Sequence, residues 1–319
     1  MFTVLFITFS GIAIGYLLRQ VKVLQRLQQS ISWTIYLLLF FFGLQVGAND
    51  QVVSNLDTLG LKALLIAVAG SLGSCVAAWT LYKYLFKGEM VLGNSGDSMV
   101  IVEGCNSETV KYAAGFITAG FFVVGCVCGV AWFVPQRLCE GGVSMYVLYA
   151  LMIQVGMSIG CDRRLKEILM SLNLKMLLLP LGTIVGTLVA VAAAGMAISG
   201  LKLADCMAVG AGFGYYSLSS VLITQIKEPV VGAAVAAQIG TIALMSNIMR
   251  EIITLLFSPA IKQVFGKLAP ISTGGATSMD STLPVITAAC GKELAFVSIF
   301  HGVLVDFSVP FLVTFFASL

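Results

Sequence analysis

Charge is what this chain has least of. Only 10% of its 319 residues are Asp, Glu, Lys or Arg, where a soluble domain carries about 25%. The longest polar stretch runs from Lys87 to Lys111, which leaves no room for a sizeable soluble domain. There is one His and no C-x-x-C pair. The eight cysteines (Cys75, Cys105, Cys126, Cys128, Cys139, Cys161, Cys206 and Cys290) are scattered, so neither a metal centre nor a disulfide framework is expected. They read as small apolar packing residues. The net charge of +3 is spread over short loops and points to no nucleic-acid partner. An intramembrane protease could start only from Ser217 and His301. The sequence has no Ser–base or paired-Asp motif to support it, so no enzyme and no cofactor are expected. No repeated pore lining suggests a channel either.

What the chain has instead is apolar length. Hydrophobic residues make up 59% of it, and mean hydropathy is +1.00. Runs long enough to cross a bilayer, about 20 residues, fall at 2–18, 31–48, 58–82, 112–134, 143–160, 175–200, 230–260 and 293–318. The run at 2–18 lacks a charged leader and is followed by Arg19, so it reads as a first membrane helix and not as a cleaved signal. Two further segments, 206–225 and 273–290, are apolar but dense in Gly, Ser and Thr. The expected fold is all-α and polytopic, with about eight spans plus two re-entrant or broken segments. It forms one integral membrane domain over 1–319, with six spans in 1–200 and a motif-rich half over 206–318.

Lys and Arg concentrate in cytoplasmic loops. Arg19, Lys22 and Arg26 mark the first loop as inside, Lys83, Lys87 and Lys111 the third, and Arg163, Arg164, Lys166 and Lys175 the fifth. If both Gly/Ser-rich segments turn back, Lys262, Lys267 and Lys292 lie inside, Lys227 lies outside and both termini are external. If both cross, Lys227 moves inside and Lys262 and Lys267 move outside, a slightly poorer fit. Tyr216-Ser217-Leu218-Ser219-Ser220-Val221-Leu222-Ile223-Thr224 also reads much like Met279-Asp280-Ser281-Thr282-Leu283-Pro284-Val285-Ile286-Thr287. Two similar segments entering from opposite faces suit an inverted repeat with interrupted helices, a transporter architecture.

Glu251 is the most informative single residue. It stands about ten residues before Lys262, the nearest charge expected to mark a surface after it, which is roughly 15 Å along a helix. A carboxylate at that depth costs at least a few kcal/mol without a partner, a proton or water. Arg250 is adjacent, but neighbours on a helix point about 100° apart, so each must meet something else. Gly210-Ala211-Gly212-Phe213-Gly214-Tyr215-Tyr216-Ser217 packs three glycines and several hydroxyls into one piece, and Gly274-Gly275-Ala276-Thr277-Ser278-Met279-Asp280 repeats the theme with a carboxylate. Such pieces serve either as helix–helix contacts or as unwound turns that expose backbone to a solute. Asp50, at the end of the second span, reads on its own as an interfacial Asp. His301 and Asp306 on the last span are either a proton relay or a structural pair.

Taken together, Gly212-Phe213-Gly214-Tyr215-Tyr216-Ser217-Leu218-Ser219, Arg250-Glu251, Gly275-Ala276-Thr277-Ser278-Met279-Asp280, Thr282-Leu283-Pro284-Val285 and His301-Gly302 resemble the bacterial L-lysine exporter family, LysO. The first half is looser, resting on Ser32-Trp33, Tyr36-Leu37, Phe41-Phe42-Gly43, Asp50 and Asn55-Leu56. The resemblance implies export of L-lysine and close cationic analogues across the bacterial inner membrane, with eight spans and both termini periplasmic. It places the family's pair of membrane-embedded acidic residues on Asp50 and Glu251, and no family acid on Asp306. By analogy it implies a fold like that of cation–proton antiporters. The expected mechanism is lysine–proton antiport, with Asp50 and Glu251 binding either ammonium or proton. Gly212, Gly214, Tyr215, Ser217, Ser219, Thr277, Ser278 and Asp280 are expected to bind the amino acid. A sodium–proton or other cation–proton antiporter would use the same carboxylates without amino-acid selectivity.

Overall fold

The computed structural model describes residues 2–18, 27–48, 53, 55, 57, 59–85, 120–131, 142–161 and 174–319. Asp50 and most of the loop charges that set the expected orientation lie outside them. The described chain is helical: α1 (Phe2–Leu17), α2 (Leu27–Gly47), α3 (Gly60–Leu85), α4 (Gly120–Val130), α5 (Gly142–Gly160), α6 (Leu178–Gly195), α7 (Leu203–Gly210), α8 (Tyr216–Val231), α9 (Ala233–Phe265), α10 (Ala269–Gly274), α11 (Leu283–Cys290) and α12 (Ala295–Ala317). An apolar helix falls in each of the eight expected stretches. Those at Gly60–Tyr84, Leu178–Gly195, Ala233–Phe265 and Lys292–Ala317 are long and apolar enough to cross a membrane, and the other four hold shorter apolar runs among the described residues, at Phe6–Leu17, Trp33–Gly47, Gly120–Val130 and Met145–Ser158. Phe307, Phe311 and Phe315, one turn apart on α12, are 68%, 63% and 59% exposed, as suits a face turned to lipid. The protein is an all-α polytopic membrane protein.

The chain clusters into two compact units. One comprises Met1–Val53, Leu92–Asn173 and Leu283–Phe296; the other comprises Ser54–Val91, Leu174–Thr282 and Val297–Leu319. Sequence order and compact unit therefore do not coincide.

In the first unit, glycines four apart set the packing. α1 carries Gly11 and Gly15, α5 carries Gly156 and Gly160, α2 carries Gly43 and Gly47, and α4 carries Gly125 and Gly129. A Cβ at Gly11 would sit 2.8 Å from the Ile153 carbonyl, and one at Gly156 would meet the Thr8 carbonyl at 2.5 Å. Likewise a Cβ at Gly43 would strike the Phe122 carbonyl, and one at Gly125 the Phe40 carbonyl. Lipid gives apolar side chains no reason to leave it, so close backbone contact between small residues is what holds membrane helices together.

The second unit uses the same device where α3 and α6 cross at Gly73 and Gly186. These two helices are antiparallel: Gly182, near the start of α6, faces Leu81, near the end of α3. Against this frame the two Gly/Ser-rich segments can be followed. Asp205 Oδ1, in the first turn of α7, lies 2.7 Å from Lys227 Nζ, in the last turns of α8. Both ends of the segment thus lie together, beside the start of α3, where Lys62 approaches Gly200. The chain between them goes in and comes back. Lys227, expected as a loop charge, is instead a buried ion-pair partner at 3% exposure, because the doubled-back segment brings Asp205 to it.

The second segment starts at the opposite end. Gly266, just before α10, packs on Tyr82 at the end of α3. The chain reaches Ser281 beside Glu251, and α11 then belongs to the first unit. On α12, His301 lies against Thr183 in the first turns of α6. Of the two stretches that read alike, Tyr216–Thr224 lies in α8, and Met279–Thr287 runs through a turn into α11.

Two outcomes follow. Lys202→Cys and Gly232→Cys, placed in a cysteine-free background, react with a membrane-impermeant thiol reagent from the same side; labelling from opposite sides refutes the hairpin. Gly73→Leu lowers detergent thermal stability, an overpacking cost of about 1–3 kcal/mol. Gly120→Leu, where a Cβ meets nothing within 4 Å, leaves stability unchanged.

Candidate functional site

The tips of the two interrupted segments meet inside the second unit. The first breaks at Phe213 (φ 45°) and Gly214 (φ 94°), the second at Gly275 (φ 60°). Left-handed backbone is costly for Phe and stands only where neighbours impose it. Here the Phe213 carbonyl accepts the Ala276 N–H at 2.9 Å, and a Cβ on Gly275 would collide with that same carbonyl. One tip is thus hydrogen-bonded to the other where both have left the helix.

Helix α9 completes the joint. Asn247 Oδ1 accepts the Gly214 N–H at 2.8 Å. Its Nδ2 donates towards the Val209 carbonyl at 3.1 Å, the Ala243 carbonyl at 2.9 Å and Ser219 Oγ at 3.3 Å. Gly212 has no side chain because the Asn247 amide occupies the space a Cβ would take. One turn on, Arg250 Nε donates to the Thr273 carbonyl at 3.0 Å, Nη2 to the Ser272 carbonyl at 3.1 Å and Nη1 to Thr187 Oγ1 at 3.2 Å. Its guanidinium sits 5.6 Å from the centre of the Phe213 ring. The carbonyls freed where α10 ends are therefore capped by a buried cation, the polarity a helix C-terminus favours.

Glu251 points elsewhere, as the turn of the helix requires. It is 2% exposed. Oε1 accepts a short hydrogen bond from the Ser281 hydroxyl, and Oε2 is buried with no hydrogen-bond partner. Among the described residues no cation lies within ion-pair distance of it; Arg250 is spent on α10. Asp280 turns back on Ser281, accepting its N–H at 2.6 Å and facing its hydroxyl at 3.3 Å. Asp280 is close enough to Glu251 and to Asp306 for their charges to interact. Tyr215 lies near Asp280 and Asp306, and Tyr216 near Glu251 and Asp280.

The remaining expected residues divide by what their hydroxyls do. Ser219 donates to the Tyr215 carbonyl at 2.8 Å and Thr277 to the Gly274 carbonyl at 2.9 Å. Ser278 lies 2.8 Å from the Gly275 carbonyl, 3.1 Å from the Ser298 carbonyl and 2.9 Å from His301 Nδ1. These three stitch the tips. Ser217 is exposed on the first turn of α8. His301 is fully buried with Nε2 2.9 Å from Thr183 Oγ1, so both its nitrogens meet hydroxyls, and Asp306 is not its partner.

Ser281, Asn247 and Tyr216 were not singled out from the sequence. Asn247 and Glu251 are one turn apart, and with Arg250, Thr254 and Ser258 they form a polar stripe on an otherwise apolar helix; that spacing is the signal that finds Asn247. Ser281 had only its place beside Asp280.

Comparison with known proteins adds the family. The family model described as lysine exporter LysO matches residues 5–95 and 119–317. The chain is 28% identical over 326 aligned positions to the protein of Escherichia coli (strain K12) named "Lysine exporter LysO", with 100% of both chains covered. It is 30% identical over 200 residues to a protein of Haemophilus influenzae named "Putative lysine exporter", covering 61% of this chain and 94% of that one. No solved structure matches significantly.

Arg250→Ala leaves two carbonyls uncapped in the interior and is expected to cost about 3–5 kcal/mol, the range for breaking a buried charged contact. Arg250→Lys keeps the charge but cannot reach Thr187, Ser272 and Thr273 together, and falls between Arg250→Ala and wild type. Thermal unfolding in detergent ranks the three; a wild-type transition for Arg250→Ala removes the brace.

Proposed function

The chain belongs to the lysine exporter LysO family, and on that premise we propose that it exports L-lysine, and close cationic analogues, in exchange for protons, with Glu251 and Asp50 as the groups that carry them. Membership makes it a membrane transporter and not an enzyme. The bacterial inner membrane is its proposed location, with both termini on the periplasmic side, in keeping with the basic residues after the first span (Arg19, Lys22 and Arg26).

The observation that carries this reading is Glu251 itself: a carboxylate 2% exposed, held at one oxygen by Ser281 and left without a partner at the other. An uncompensated buried charge is expensive. The group is therefore most stable when it holds a proton or a cation, and it cannot hold both on one oxygen. Lysine is a net cation. Moving it outward against a negative interior costs about 2.3 kcal/mol per 100 mV. One proton inward for one lysine cation outward moves no net charge, so the proton gradient alone can drive the exchange. Asp50 enters from the resemblance and lies outside the described residues. Around Glu251, Tyr215 and Asp280 are the expected binding residues that approach the carboxylate cluster. Gly212, Gly214, Ser219, Thr277 and Ser278 support the reading indirectly, by shaping the tips that hold this cluster.

Purified protein in proteoliposomes tests the proposal. Lysine efflux under an imposed proton gradient is expected for wild type and is abolished in Glu251→Gln and Asp50→Asn at equal protein content. Wild-type lysine export retained by Glu251→Gln removes its role. Sodium–proton exchange without lysine movement moves the protein to the cation–proton antiporters.

A further inference from the structure

His301 is a fully buried ring for which the exchange so far has no use. It stands on α12 with a hydroxyl at each nitrogen. Ser278 Oγ lies 2.9 Å from Nδ1, and Thr183 Oγ1 lies 2.9 Å from Nε2. A neutral imidazole donates at one nitrogen and accepts at the other, and a hydroxyl fills either role. Both neighbours are thus satisfied without a buried charge. The ring ties the second tip, through Ser278, to α6, through Thr183. Around it α12 lies directly against the tip. Ser298 Oγ donates to the Ser278 carbonyl at 2.7 Å. A Cβ on Gly302 would press on the Met279 backbone nitrogen at 2.6 Å and on Met279 Cβ at 2.7 Å.

The turn that follows is closed on itself. The Thr277 carbonyl accepts the Asp280 N–H at 3.0 Å, the Thr282 N–H at 3.2 Å and the Thr282 hydroxyl at 2.9 Å. With its two ends drawn onto one carbonyl, the loop over 277–282 moves as a body. Ser281 therefore stands where the loop's outside attachments put it. On one side the Ala276 N–H is held by the Phe213 carbonyl. On the other Ser278 is held by Ser298 and His301. What the loop presents between them is the Ser281 hydroxyl, donated to Glu251. Thr183, Glu251, the loop and His301 all belong to the second unit.

We propose that His301 is a positioning residue for the exchange: it fixes Ser278, and through the closed loop it sets the Ser281 hydroxyl on Glu251. This rests on the lysine-export reading and deepens it, by adding a residue that touches neither the carboxylate nor the cargo. The bond at Nδ1 carries the effect, because it reaches the tip, and the bond at Nε2 steadies the ring on α6. An Asn amide reaches the place of Nδ1 and a Gln amide the place of Nε2. The two substitutions therefore separate the two bonds.

Lysine exchange by the full chain in proteoliposomes tests this with a double-mutant cycle, which isolates the coupling between two positions. Ser281→Ala raises the lysine KM by about tenfold, the loss of a charge-assisted contact that orients Glu251. His301→Gln raises it by about as much, and in each the maximal rate stays within about threefold of wild type. The double variant is no more than about twofold worse than either single one, whereas the thermal destabilisation by His301→Gln persists in the Ser281→Ala background. His301→Asn keeps the KM within about threefold of wild type. An unchanged KM in either single variant overturns the proposal, and so do KM effects that multiply, or equal losses in His301→Asn and His301→Gln. If His301→Gln does not fold, Thr183→Val takes its place in the cycle: it frees the ring from α6, and its KM effect is expected to vanish in Ser281→Ala. A Thr183→Val effect that multiplies with Ser281→Ala overturns the proposal equally. Wild-type vesicles that exchange no lysine overturn the export reading itself; wild-type exchange with multiplying effects overturns only the positioning role.

Discussion

A backbone that leaves the helix inside a membrane must find partners for every N–H and C=O it frees, because lipid supplies none. Two interrupted segments of this chain do so at the same place. Phe213 and Ala276 bond one tip to the other, and α9 satisfies much of what remains, with Asn247 on the first tip and Arg250 on the carbonyls that close α10. The positions of the other groups at this joint follow from that requirement. Gly212 is small because Asn247 lies against it, Gly275 because the Phe213 carbonyl does, and Ser219, Thr277 and Ser278 turn their hydroxyls onto neighbouring backbone carbonyls.

The same helix supplies both the brace and the binder. Arg250 and Glu251 are adjacent, so their side chains leave α9 about 100° apart. The cation goes to the end of α10 and the carboxylate to Ser281. Had the two faced each other they would have neutralised one another, and the interior would hold no net charge for a solute to answer. Their divergence leaves Glu251 in want of a cation or a proton while the arginine stabilises the fold. A transporter needs this separation: a rigid joint, and beside it a group whose charge is satisfied only by its cargo.

Glycine does in the first unit what polar contacts do in the second. Gly11 meets Gly156 and Gly129 meets Gly47, while Gly15, Gly160, Gly43 and Gly125 lie against the backbone of Met157, Ile12, Phe122 and Phe40; on each helix the two glycines are one turn apart, so that a single face is smooth. These spacings can be read directly in the chain once helices are assumed. Their partners cannot, since any smooth face fits any other until connectivity and length choose.

The sequence by itself determined that the chain lives in a membrane, that it is helical, and that two Gly/Ser-rich segments interrupt it. Apolar run length and the scarcity of charge leave no other solution for the backbone. It also marked Glu251, because one carboxylate deep in an apolar helix stands out without any structure. Only the tertiary structure decided that the first segment doubles back, through the Asp205–Lys227 pair. Only it separated hydroxyls that stitch the tips from those that face a carboxylate, assigned Arg250 to α10, and gave both nitrogens of His301 to hydroxyls. Burial cost depends on composition along the chain and is local, whereas the partner of a polar group is set by which distant segment arrives beside it.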